Sequence, residues 1–179
     1  WSSLNRNYYR HFEVINETFE RQLLNDHDNN CLHQAILISR KDMGIDDEEF
    51  IKRRDNCFAQ NSWSATITPK GAFFCEVAGA LDMLFNGPGG WAIEKGWYNR
   101  TPEHFEEQLH WCELCSLCLD VPQRIAGDEL DDVSPLLLQK LIEIGSPKAI
   151  DGKYVLHTRD DVKNCLLYTS PSPRDTERS

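Results

Sequence analysis

Apolar and polar positions recur along the chain with three periods, and each predicts a kind of element. Over residues 11–24 (HFEVINETFERQLL), Phe19, Leu23 and Leu24 share a helical face, and Asn16 is a candidate cap, which predicts a short helix. A polar turn over 25–30 leads into the run 31–39, whose Ala35-Ile36-Leu37-Ile38 is short and bounded like a buried strand. Asp46 at an N-cap with Glu49 three residues on predicts a helix to about Arg54. From Asn61 the period becomes two. Ser62, Ser64, Thr66 and Thr68 alternate with Trp63, Ala65 and Ile67, and Pro69-Lys70-Gly71 turns the chain into Ala72-Phe73-Phe74-Cys75. Pro69 presets a turn φ and Gly71 accepts a positive one, so this is the clearest hairpin in the chain. A helix follows over 76–85 and a loop over 86–90. Thr101-Pro102-Glu103 and Ser134-Pro135 each combine an N-cap with Pro at the first helical position. The first start carries Phe105, Leu109 and Cys112 at helical spacing, with Cys115 on the same face. The second carries Leu137, Leu138, Leu141 and Ile142 to a stop at Gly145.

Composition narrows the class. A chain of 179 residues with 40% hydrophobic and 27% charged positions is globular, neither disordered nor fibrous. Its 29 acidic and 19 basic residues leave a formal charge of -10, with no basic stripe to neutralise phosphates, so nucleic acid is not an expected partner. No apolar run approaches the roughly 20 residues that span a bilayer, and no basic start precedes an apolar stretch, so a cytoplasmic protein with no membrane partner is expected. The chain opens on Trp1 without Met, which suggests a start further upstream. Residues 165–179 (CLLYTSPSPRDTERS) resemble the translated sequencing adapter found at the ends of metagenomic gene calls, and a Ser/Pro tail of this kind is expected to be disordered. Setting it aside removes as many acidic as basic residues and one of the seven cysteines.

The remaining cysteines carry the chemistry. Cys57 and Cys75 bracket the predicted hairpin, and Cys112-x-x-Cys115 lies near the end of a predicted helix, with Cys118 three residues on. A thiolate site needs soft ligands drawn together from separate elements, which one hairpin and one helix end supply. Zinc and iron–sulfur both fit such donors, zinc sites commonly using two Cys-x-x-Cys pairs where this chain has one pair and two single residues. Small buried apolar thiols are the plain alternative.

The segment from Cys57 through Gly71 and Cys75-Glu-Val-Ala to Leu81-Asp-Met-Leu-Phe-Asn-Gly-Pro-Gly-Gly-Trp91, with His110-Trp-Cys-Glu-Leu-Cys115, resembles the C-terminal part of bacterial radical SAM proteins. There a SPASM or Twitch extension follows the barrel and binds auxiliary clusters. The likeness covers residues 5–160 and is specific over 57–118. It implies that Cys57, Cys75, Cys112 and Cys115 ligate one auxiliary [4Fe-4S] cluster, with Cys118 as the alternative ligand and zinc as the alternative metal. It further implies a substrate, small molecule or peptide, and an electron-donor protein. S-adenosylmethionine and a second [4Fe-4S] cluster would belong to a full-length parent, because the Cys-x-x-x-Cys-x-x-Cys motif that serves them is not in this sequence. By this resemblance Trp63, Phe73, Phe74 and Trp111 would form a dry shell round the cluster.

The fold class expected is α+β. Residues 1–55 would be the end of a partial (β/α) barrel, 56–125 a small hairpin-plus-helix cluster domain, and 126–164 a helical segment. Other candidates carry less. His27, Cys31 and His33, with Asn25 and Asp26, have no fourth ligand near in sequence and fit the end of a barrel strand. Gly87-Pro88-Gly89-Gly90 lacks the Lys-Ser/Thr of a phosphate loop and reads as a crossing loop. Cys112-x-x-Cys115 falls at a helix end, where a thioredoxin-type pair would begin one. Glu76 and Glu113 read as solvated or structural carboxylates.

Overall fold

A computed structural model describes residues 2–4, 10–20, 22–24, 32–33, 35–61, 65–119, 121, 124–125 and 129–160. Helix and strand are mixed, and no helix among the described residues is long and apolar enough to cross a membrane. The expectations for Asn25, Asp26, His27, Cys31, Trp63 and the 165–179 tail lie outside these residues, and of His33 only the backbone is described.

The N-terminal helix is shorter than its apolar pattern suggests. Strand β1 (Ser2–Leu4) precedes α1 (Phe12–Thr18), whose N-cap position is His11 rather than Asn16 and which ends where Phe19 turns extended. Leu23 and Leu24 belong to β2 (Gln22–Leu24), parallel to β1. Three β-branched residues in so short a helix, Val14, Ile15 and Thr18, lower its propensity, and the Thr18 hydroxyl donates back to the Val14 carbonyl at 2.5 Å instead of favouring another turn.

Strand β3 (Leu32–His33) pairs antiparallel with β6 (Arg124–Ile125). The apolar run beyond it is extended and forms a parallel bridge from Leu37 to Val133. Ala35 and Ile38 are buried in a cluster with Met43, Phe50, Leu119 and Val121. Helix α2 (Asp47–Asp55) starts as the sequence predicts, with the Asp46 carboxylate accepting from the Glu49 N–H at 2.9 Å. Arg40 is almost fully buried beside it. Its guanidinium donates to both Glu113 carboxylate oxygens (2.7 and 3.1 Å), pairs with Asp47 (2.6 Å) and lies over the Phe50 ring. Residues of the 35–50 stretch therefore share one core with Leu119 and Val121, with Cys112 and Cys118 packed against it.

The hairpin joins β4 (Thr66–Thr68) and β5 (Gly71–Phe73) through Pro69-Lys70. Gly71 has φ +122, and a Cβ there would come within 2.7 Å of the Trp91 carbonyl, so only glycine admits the neighbouring chain. That neighbour is the 86–90 loop, which returns beside β5 with Ala72 and Trp91 exchanging two backbone hydrogen bonds of 2.9 Å. Helix α4 (Glu76–Leu84) packs across the hairpin. Its fully buried Asp82 pairs with Lys70 at 2.9 Å and accepts from the Gly89 N–H at 2.9 Å, which anchors the loop to the turn.

The segment expected to be an α-helix from Thr101 is instead two stretches of 3-10 helix, Pro102–His104 and Glu106–Leu114. Its buried residues Phe105, Gln108 and Trp111 recur every third position. Three residues per turn keeps that row against the hairpin, where 3.6 would rotate it away. Gln108 fixes the register, its side-chain carbonyl accepting from the Phe74 N–H and its NH2 donating to the Ala72 carbonyl, both at 3.1 Å. Phe105 stacks on Phe74 with centroids 4.8 Å apart.

The C-terminal segment is not only helical. Strands β7 (Asp131–Val133) and β8 (Tyr154–Leu156) run parallel, joined by α5 (Pro135–Glu143) and α6 (Pro147–Ile150). Neither strand is legible in the sequence, because each is three residues long, β7 carrying two acids within it and β8 following Lys153. A buried pair, His157 Nε2 to Asp132 Oδ1 at 2.7 Å, ties the end of β8 to β7.

Candidate metal centre

Each proposed ligand sits where one element hands over to the next. Cys57 follows the C-terminus of α2, donating its N–H to the Arg54 carbonyl, and its own carbonyl accepts from Gln60 and Asn61 at the start of α3 (Phe58–Asn61). Cys75 is the extended N-cap of α4, directly after the hairpin. The Val77 and Ala78 N–H groups face its sulfur without closing a regular capping bond. Cys112 lies in the last turn of the long 3-10 helix, and Cys115 is its extended C-cap, with the sulfur accepting from the Leu117 N–H at 3.4 Å. Cys118 lies in the turn beyond. Ser116 holds that turn against the 35–55 segment, its hydroxyl donating to the Ala35 carbonyl at 2.5 Å and its N–H to the Ile36 carbonyl at 3.1 Å.

These elements bring all five thiols to the wall of one cavity, about 360 Å³ of atom-free space counting its open side. Phe74, Leu81, Val77, Ala78, Leu117 and Trp111 supply apolar wall, and Arg54 is the charged residue among the lining side chains. Among the described residues, no carboxylate or imidazole lines it. All five cysteines are free thiols. Among the described residues, no three His, Cys, Asp or Glu side chains gather so as to hold a metal ion, so the thiols border a space without converging on a point. Of the aromatics expected near it, Phe74 and Trp111 line the cavity, whereas Phe73 is packed in the core.

Burial dominates the electrostatics. It pushes the thiols of Cys75, Cys112 and Cys115 above their ordinary value and that of Cys118 up to about 11, and each of the four also acts on, or is acted on by, other thiols of the set. The Arg54 guanidinium works the other way on Cys112 and Cys118. Neutral, crowded thiols suit neither a nucleophile nor a thioredoxin-type pair, which depend on a lowered pKa. They suit ligands that give up their protons only when a cation or cluster arrives to hold the charge.

The donor set fits a thiolate-ligated cluster. The sulfurs are soft, water is largely excluded, backbone N–H groups face two of them, and one guanidinium offsets charge. The buried Trp111 indole N–H has no acceptor among the described residues, so the lining also holds a spare donor. Glu76 is exposed and Glu113 is committed to Arg40, so neither stands free as an acid in the cavity. Sequence reading missed Arg54, Gln60 and Gln108. Nothing marks these as site residues before the fold is known, whereas the even Cys-x-x-Cys-x-x-Cys spacing could have given Cys118 equal rank. No protein-family model matches the chain, and comparison with curated proteins and with solved structures finds no match.

Proposed function

We propose that this chain is the rear part of a radical SAM enzyme of the cytoplasm, and that its cysteine cavity holds one auxiliary [4Fe-4S] cluster. Cys57, Cys75, Cys112 and Cys115 would be its ligands, with Cys118 as the alternative, and residues 1–55 would close the parent's barrel. The observation that carries the reading is the meeting of five thiols from three separate stretches of chain on one apolar cavity. When bound, such a cluster supplies one-electron chemistry or a site that orients substrate. The chain's own part is to exclude water with Phe74, Leu81 and Trp111, to aim the Val77, Ala78 and Leu117 N–H groups at sulfur, and to offset charge with Arg54. Without the Cys-x-x-x-Cys-x-x-Cys motif, this sequence by itself would not cleave S-adenosylmethionine.

Anaerobic reconstitution of the chain with iron and sulfide is the direct test. The expected product is brown, with broad absorption near about 400 nm and about four irons and four sulfides per chain. A colourless protein holding one tight zinc would instead make this a zinc-stabilised structural module. The reading frame upstream of Trp1 should encode Cys-x-x-x-Cys-x-x-Cys, and a complete upstream frame without it would remove the radical SAM assignment even if iron bound.

A further inference from the structure

Away from the cysteines, the chain between Trp91 and Phe105 borders a second cavity, about 660 Å³ of atom-free space counting its open side. Its lining includes Glu94, Lys95, Trp97, Asn99, Arg100 and His104 and shares no residue with the cysteine cavity. We propose that this second cavity binds a small molecule through its carboxylate, with Arg100 as the principal contact. The proposal does not depend on the cluster reading.

The cavity is built on a loop held at both ends. Trp91 is tied to Ala72 by two backbone hydrogen bonds, and Phe105 stacks on Phe74 with its centroid 5.8 Å from that of the Trp91 ring. Between them the Trp97 N–H donates to the Glu94 carbonyl, the Asn99 N–H to the Gly96 carbonyl and the His104 N–H to the Thr101 carbonyl, at 3.1, 2.9 and 2.8 Å. The backbone that presents these side chains is therefore shaped before any ligand arrives, which lowers the ordering cost of binding.

Arg100 has no role in holding that backbone. Arg40, Arg53 and Arg54 each pair with a carboxylate, whereas the Arg100 side chain has no hydrogen-bond or ion-pair partner among the described residues. Its guanidinium carbon lies 4.5 Å from the Trp91 ring centre, and its Nε is buried without an acceptor. Stacking on Trp91 holds the guanidinium plane. With Nε shut off from solvent, the two Nη groups are what a ligand reaches, and their planar edge matches the two oxygens of a carboxylate.

His104 adds a donor. Its Nδ1 accepts the Thr101 N–H at 3.2 Å, which puts the ring proton on Nε2. Lys95 and Arg100 outnumber Glu94 by one charge in the lining, although the whole chain carries -10. That local balance suits a monoanion, since a phosphate dianion would meet Glu94 with twice the repulsion. The Trp97 ring gives apolar wall for the rest of the ligand.

The test uses the full chain, with benzoate, benzylamine and inorganic phosphate as probes and titration calorimetry as the measurement. Benzoate should bind at one site. Its affinity should fall about tenfold or more in Arg100→Met, which keeps an unbranched side chain on Trp91 but removes the charge-assisted hydrogen bonds. Lys52→Met, which removes a cation outside the cavity, should leave that affinity unchanged. No benzoate binding, equal affinity in Arg100→Met, an equal fall in Lys52→Met, or benzylamine binding as tightly as benzoate overturns the proposal, and phosphate binding more tightly than benzoate overturns the choice of a carboxylate. A second measurement needs no substitution. In proton–nitrogen NMR spectra of wild type, the amide shifts on adding benzoate should be largest at Gly96, Trp97, Arg100 and His104, and shifts centred elsewhere refute the site.

Discussion

Gln108 joins the two ligand-bearing halves of the cavity, and replacing it with Met tests whether that junction is held by hydrogen bonds. The residue is 3% exposed, and Met keeps its length and nearly its volume, so the change removes polar contacts without opening a hole. Two contacts go, and they are unequal. The Ala72 carbonyl keeps its bond from the Trp91 N–H at 2.9 Å, so losing the Gln108 NH2 costs it little. The buried Phe74 N–H accepts no such substitute in the observed packing, since its partner is the Gln108 side-chain carbonyl at 3.1 Å. An orphaned buried donor costs about 1–3 kcal/mol, partly offset because Met has no amide to desolvate. The expected loss is therefore about 1–2 kcal/mol, or roughly 2–8 °C in Tm for a chain of this size. Denaturant unfolding of the unloaded protein, with Gln139→Met as an exposed control, measures it. Gln139 is exposed and donates to Glu143 on the surface, so its replacement should change stability by less than about 0.5 kcal/mol. If both variants unfold at the same denaturant concentration, Gln108 does not hold the hairpin to the 3-10 helix and the explanation given for that helix fails.

Lys70→Met should cost about 3 kcal/mol by leaving the fully buried Asp82 carboxylate with the Gly89 N–H but no cation, and a loss below about 1 kcal/mol by chemical denaturation would show the pair is not needed. Glu113→Gln should lower stability by about 1 kcal/mol through Arg40 while leaving iron and sulfide uptake unchanged; uptake falling with stability intact would make Glu113 part of the site. For the unloaded, reduced chain, the folded thiols keep protons that unfolded ones lose near the usual 9.0. The stabilisation is therefore complete below that pH and declines as pH rises toward the value of about 11 at Cys118. Denaturation midpoints across this window should fall more steeply for wild type than for Cys118→Ala, and parallel profiles would contradict the burial argument.

What could be read before folding, and what could not, follows from how far each signal reaches. The hairpin, the Asp46 cap and the Ser134-Pro135 start are written in adjacent residues, and their elements stand where expected. The 3-10 helix is not legible locally, because Thr101-Pro102-Glu103 announces a helix start but not its pitch. The pitch is decided by Gln108 meeting Phe74 and Ala72 across the fold, and that contact leaves no local trace. β7 and β8 fail for a similar reason. Their pairing depends on α5 and α6 folding back over the gap between two three-residue strands, too short for an alternating pattern to register. The cysteines fall between these cases. Spacing alone nominates the five, since Cys-x-x-Cys is local, but it cannot say whether Cys57 and Cys75 lie on the same side of the hairpin as Cys112. The cavity answers that, and it also changes the ranking. Cys118, a reserve on sequence grounds, borders the same space as the other four thiols and so stands beside them as a candidate ligand.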